Sequence, residues 1–151
     1  MKKKLCALLA CTVMLGLSAC GGEEEVKNAA VAKIEQDGVS MSMSFDAKGD
    51  TVTRITQESV IDISGFTEDQ IAALDAAVAS AEEIYAELDG VEYSSEQSDG
   101  QFVETIVIPT EGDILKAVVE QGILPVDNEE LTELSLESTV DNLESSGWTI
   151  E

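Results

Sequence analysis

The most regular stretch of the chain begins at Val39, where Val39, Met41, Met43 and Phe45 alternate with Ser40, Ser42, Ser44 and Asp46. A period of two belongs to a strand with one buried and one wet face. Ala47-Lys48-Gly49-Asp50 supplies a turn, and the Thr-, Val- and Ile-rich run over 51–63 completes a predicted β-hairpin. The period then changes. Ile71, Leu74, Val78, Ala81, Tyr85 and Leu88 recur at spacings of three and four, which draws one apolar stripe along a helix. Thr67 and Gln70 have the spacing of a capping box, Phe66 and Ile71 that of a hydrophobic staple, and Gly90 is the expected stop. The opposite face, with Asp69, Glu82, Glu83 and Glu87, reads as solvated surface.

A second hairpin is predicted from 91–95 and 101–108, on either side of Glu96-Gln97-Ser98-Asp99-Gly100. The unbroken Ile106-Val107-Ile108 run predicts a strand covered on both faces, ended by Pro109. Thr110 is expected to cap a short helix whose inner face is Ile114, Leu115, Val118 and Val119, closed by Gly122. Leu134 and Leu136 predict a brief strand. Ser138 and Asp141 mark the start of a last helix carrying Val140 and Leu143, and Trp148-Thr149-Ile150 a terminal strand or docked tail. By contrast, 21–38 offers a Gly pair, three Glu and scattered Val, Ala and Ile without a sustained period. It reads as a flexible tether, with room for a short helix across 26–34. The expected domain, 39–151, is α+β: a two-layer sandwich, its mainly antiparallel sheet built from two β-hairpins with helices packed on one face.

The N-terminus carries a different signal. Lys2, Lys3 and Lys4 precede an apolar run over 5–17 in which Thr12 is the clear polar exception, the n- and h-regions of a secretory signal. Thirteen residues of helix span about 20 Å, short of the roughly 30 Å hydrocarbon core of a bilayer. The following Leu17-Ser18-Ala19-Cys20-Gly21 resembles the lipobox of bacterial lipoproteins. In that family a signal peptidase cuts before the Cys, whose sulfur carries diacylglycerol. The resemblance implies a signal peptide over 1–19, recognition through Leu17, Ser18 and Ala19, and lipid attachment at Cys20. The two chains of a diacylglyceryl group give stable membrane anchoring where a single chain does not. Cys6 and Cys11 fall in the segment to be removed, so an exported chain keeps no thiol for a disulfide or redox pair.

Composition narrows the function. The chain has 151 residues, 31 Asp plus Glu against 8 Lys plus Arg, a formal charge of -23 and no His. Removing 1–19 also removes three of the eight basic residues. Such a surface repels nucleic acid. The missing His takes away Ser-His-Asp triads, Cys-His dyads and the commonest zinc ligand, and no phosphate-binding, dinucleotide or nucleophile-elbow motif is present. Met41 and Met43 share a face with Val39 and Phe45, which makes them core residues rather than a copper site. Asp127-Asn128-Glu129-Glu130 is the nearest approach to a calcium loop but lacks the spaced ligands and the central Gly. Arg54 and Lys116 are expected in surface ion pairs. No cofactor or metal is called for.

The order of anchor, the hairpin MSMSFDAKGDTVTRITQESVID over 41–62, capped helix, second hairpin and the ending STVDNLESSGW over 138–148 resembles the YehR-like family of small bacterial lipoproteins. The resemblance covers nearly all of the chain after Cys20. It implies an α+β domain on a lipid anchor and brings no activity, cofactor or partner. The expected function is therefore a membrane-anchored, non-catalytic binding or accessory module of the cell envelope. The expected location is the extracytoplasmic side of the cell membrane, or the outer membrane or periplasmic face if a second membrane exists. The alternative is an envelope cation-binding protein or a carboxylate-dependent hydrolase.

Overall fold

The computed structural model describes residues 23–124 and 131–151. Six strands and three helices follow in the order β1 (Glu25–Gln36), β2 (Val39–Lys48), β3 (Thr51–Asp62), α1 (Glu68–Ala86), β4 (Glu92–Ser98), β5 (Gln101–Pro109), α2 (Gly112–Glu120), α3 (Leu136–Ser145) and β6 (Thr149–Ile150). The strands form one sheet in the order β4-β5-β3-β2-β1-β6, and every neighbouring pair is antiparallel. The fold is α+β.

The segment expected to be a tether over 20–38 is, from Glu25 to Gln36, a strand inside this sheet, and no helix forms across 26–34. Ala30, Ala32 and Ile34 point to the core side and pair with Phe45, Met43 and Met41 of β2. Ala32 is completely buried. The sheet therefore rests on three hairpins rather than two, with the domain beginning before Val39. Asp37 and Gly38 make the additional turn, with φ of 53° and 81°, the two positive values that a type I′ hairpin turn requires. Alanine and the polar flanks give this strand little intrinsic β preference. Its partners on both sides and the helix above it hold it in place.

Register assembles the core from short rows across the sheet. Ala30, Phe45, Ile55 and Ile108 lie side by side, and the next row holds Ala32, Met43, Gln57, Ile106 and Tyr93. The same cluster takes in Leu88 after α1, Leu115, Val118 and Val119 of α2, and Val140 and Leu143 of α3. Met41 and Met43 are on this helix-facing side. Val107, between Ile106 and Ile108, faces the opposite side and is only half-buried, so β5 is covered fully on one face rather than two.

Helix α1 has both halves of its capping box, with Gln70 N–H donating to Thr67 Oγ1 and Thr67 N–H to Gln70 Oε1. Ile71, Leu74, Val78, Ala81 and Tyr85 are its half-buried positions, yet no residue of the helix is fully buried. It is held to the sheet edge by specific contacts. Tyr85 stacks on Tyr93 with ring centroids 5.1 Å apart, and Gln97 Nε2 donates to Asp75 Oδ1 at 2.7 Å. The tight Asp99-Gly100 turn makes the second hairpin longer than expected, since β4 continues through Ser98.

Two helix starts differ from the sequence reading. Thr110 does not cap α2: its hydroxyl donates to the Val52 carbonyl, and Glu111 stands at the cap without a side-chain bond. Ser135 rather than Ser138 caps α3, and Leu136 is its first residue instead of part of a strand. The reason is long-range. Asp50 in the β2–β3 turn accepts the N–H groups of Leu136 and Glu137 through its carbonyl and its side chain, which satisfies the first turn three residues earlier than the local sequence predicts. Thr149 and Ile150 pair with Lys33 and Ala32 as the expected terminal strand.

Because Ala32 is enclosed between β2, β6 and α3, Ala32→Asp places an unpaired carboxylate in the core. The expected loss is on the order of 3 kcal/mol or more in urea unfolding. A tether would tolerate the change without any shift of the midpoint.

Candidate functional site

With the described helices gathered on one face, the other face of the sheet is open. Its residues follow from the register: Ser40, Ser42 and Ser44 of β2, Thr56, Glu58 and Val60 of β3, Val103, Thr105 and Val107 of β5, and Val31, Lys33 and Glu35 of β1. This is a band of hydroxyls and small apolar groups bordered by carboxylates. Serine and threonine present both donor and acceptor without fixing a charge. A depression of ≈ 340 Å³ opens where the band meets the Asp37-Gly38 turn, lined in part by Glu35, Asp37, Ser40, Val60, Asp62 and Gln101. A smaller one of ≈ 100 Å³ continues along Lys33, Ser42 and Glu58.

The acids lining this depression are Glu35, Asp37 and Asp62, all at exposed positions. The Ser64 hydroxyl and backbone N–H both donate to Asp62, which holds its carboxyl below the usual range. A general acid at neutral pH needs the opposite shift. Among the described residues no group of three acidic or thiol side chains converges as a metal site.

At the other end of the open face stands a polar cluster that the sequence pattern did not reveal. Asp46 sits where both neighbouring strands bulge: three residues of β1 lie between the partners Val26 and Ala30, and Thr53 of β3 has no partner. The bulges fold polar groups over Asp46, which is 8% exposed. Its carboxylate accepts from Lys27 Nζ at 2.8 Å and from the Asn28 N–H at 3.0 Å. Lys27 also pairs with Glu25 at 2.8 Å, and Glu25 accepts from the Thr53 hydroxyl at 2.7 Å. Burial alone raises the Asp46 pKa, but the Lys27 and Asn28 hydrogen bonds and the nearby Lys27 and Arg54 charges outweigh it, so the net shift is downward. Glu25 is lowered as well, chiefly by Lys27. The cluster is satisfied within itself and ties the start of β1 to β2 and β3.

The remaining candidates resolve simply. Arg54 is exposed opposite Asp46, and Lys116 pairs with Glu120 one turn on at 3.7 Å. On the helix side Tyr93 donates to Glu104 at 2.8 Å, and burial together with that bond pushes the phenol pKa up. Leu17, Ser18, Ala19 and Cys20 lie outside the described residues, as do Asp127, Asn128, Glu129 and Glu130. The open face itself was out of reach of the sequence, since its members become neighbours only through the pairing of four strands.

Asp46→Ala removes two charge-assisted bonds and leaves the Asn28 N–H unpaired. The expected cost is about 2 kcal/mol in chemical unfolding at neutral pH. Because the folded-state pKa is depressed, the stabilisation is present above the ordinary aspartate pKa and is lost as pH falls through the lower folded value. The difference between wild type and variant should therefore shrink in acid; a constant difference from neutral pH down to pH 2 contradicts this account.

Comparison with known proteins places the fold. The NMR structure of the YehR protein of E. coli superimposes with a TM-score of 0.64 at 16% identity, covering 86% of this chain and 93% of that one. An NMR structure of a protein from Streptococcus pneumoniae TIGR4 gives a TM-score of 0.58 at 13% identity, covering 100% and 98%. No curated protein matches the chain. Residues 31–149 match the model of a family described as a protein of unknown function, DUF1307, a match that begins within β1. The chain belongs to this family and carries a YehR-like domain of unknown function.

Proposed function

We propose that the protein is a bacterial lipoprotein, acylated at Cys20 after cleavage behind Ala19, and that its α+β domain is a non-catalytic binding module on the extracytoplasmic side of the membrane. In an organism with two membranes the same anchor serves at the outer membrane or the periplasmic face of the inner one. The observation that carries this reading is the run of Lys2 to Lys4, apolar 5–17 and Leu17-Ser18-Ala19-Cys20, joined directly to a folded domain.

For the domain, the open face supports binding rather than catalysis. A band of Ser and Thr hydroxyls with Val60, Val103 and Val107 between them offers hydrogen bonds and modest apolar contact across several strands. In the depression beside it, hydrogen bonds from Ser64 hold the Asp62 carboxyl below the usual range. A carboxylate-dependent hydrolase needs one carboxyl kept protonated. An envelope cation-binding role is the other reading, supported only by the large excess of acid.

Expression of the full chain in bacteria with labelled palmitate tests the anchor. The wild-type protein should carry label and sediment with membranes, whereas Cys20→Ala should lose the label and at least nine-tenths of its membrane association. Equal membrane association of the two proteins contradicts the anchor. Calorimetry with calcium separates the readings of the domain: saturable micromolar binding favours the cation reading over the module.

A further inference from the structure

We propose that the domain stands upright on the bilayer, with the Lys48–Thr51 end of the sheet against the lipid headgroups and the Asp37-Gly38 turn as its far tip. This placement rests on acylation of Cys20 and adds the orientation and the membrane-facing surface. The side chain of Glu23 lies against Gly49, so closely that a β-carbon at Gly49 would collide with its carboxylate. Two residues on, Glu25 pairs with Lys48. The chain is thus paired with the end of β2 from Glu25, with Glu23 already beside the β2–β3 turn three residues after the anchor position. Three residues of fully extended chain reach about 11 Å. The 20–38 tether, had it existed, would have let the domain tumble far from the surface; this link does not.

The opposite end of the sheet is far away. Ten residues of β2 separate the Lys48 end from the Asp37-Gly38 turn, a rise of about 30 Å at roughly 3.3 Å per residue. Charge disfavours two recumbent poses. Lying on the open face would press Glu35, Glu58, Glu92 and Glu96 onto headgroups that are commonly anionic, and lying on α1 would press Asp69, Glu82, Glu83 and Glu87 there. Lys27, Lys48 and Arg54 are at the membrane end of the sheet together with Glu23, Glu25, Asp46 and Asp50, and Lys27 is already paired with Asp46 and Glu25. The short link from residue 20 therefore decides which end meets the bilayer, and the depression bounded by Asp37, Asp62 and Gln101 opens away from the lipid. A ligand of that depression must come from the envelope space, not from the leaflet that holds the anchor.

The cysteine census makes this measurable. Processing removes Cys6 and Cys11 and blocks the Cys20 sulfur, so a cysteine introduced at an exposed site is the sole thiol of the mature chain. Full-length Lys48→Cys and Gln36→Cys proteins, both changed at exposed positions, are expressed in bacteria and purified as lipoproteins. Each is labelled with a thiol-reactive fluorophore and reconstituted in phosphatidylethanolamine–phosphatidylglycerol vesicles containing headgroup-nitroxide lipid. Quenching at Lys48→Cys should exceed that at Gln36→Cys by at least threefold. Equal quenching, or stronger quenching at Gln36→Cys, in a sample whose intact mass shows diacylglycerol overturns the upright placement and leaves the anchor standing. An intact mass without diacylglycerol overturns both.

Discussion

The pairing of β1 with β2 is the constraint on which the remaining architecture turns. It inserts Ala30 and Ala32 beside Phe45 and Met43, gives β6 and α3 a strand to pack on, and completes one continuous core. Ala32 has no exposed surface and belongs to the core cluster against which Val140 and Leu143 of α3 pack. A larger residue there would have to displace its neighbours, since a close-packed core has little free space. The same pairing fixes where the chain enters the domain, through Glu23 on Gly49 and Glu25 opposite Lys48. Local packing thus determines how any N-terminal anchor presents the sheet.

Electrostatics acts on top of this frame. A net charge of -23 works against compaction by self-repulsion. The structure places one of its few cations, Lys27, where two carboxylates can share it, between Asp46 and Glu25 at 2.8 Å each. The two strand bulges are what make this geometry available, because they bring Lys27 and the Asn28 N–H over a carboxylate that a regular ladder would leave facing solvent. Lys33 closes on Glu151 in the same spirit, joining β1 to the C-terminus. Elsewhere the acids are dispersed on α1 and on the rim of the open face, a solvated surface that discourages contact with anionic partners.

Much of this fold was legible because it was local. The alternation from Val39 to Asp46 gave β2 its faces, and the spacing from Ile71 to Tyr85 picked out the half-buried positions of α1. Strand β1 was not, for physical reasons. Its alternation is confined to the stretch after the bulge, its core residues are small, and Asn28 with a φ of 50° interrupts the pattern. One signal was available: Asp37-Gly38 directly before an alternating strand marks a hairpin turn, and a turn needs a strand in front of it. The start of α3 was displaced by Asp50, which lies 87 residues from Glu137 in sequence. The candidate site was the least legible part, since Asp46 and Lys27 are 19 positions apart and the hydroxyl band draws on separate strands.

Residues 25–36 form a strand of the core sheet, paired with β2. Amide hydrogen exchange on the full-length protein addresses this pairing residue by residue. The amides of β1 that pair with β2 should exchange as slowly as those of Phe45 and Ile55, through opening of the whole sheet. Exchange of these β1 amides at the rate of unstructured chain, with β2 and β3 still protected, contradicts it.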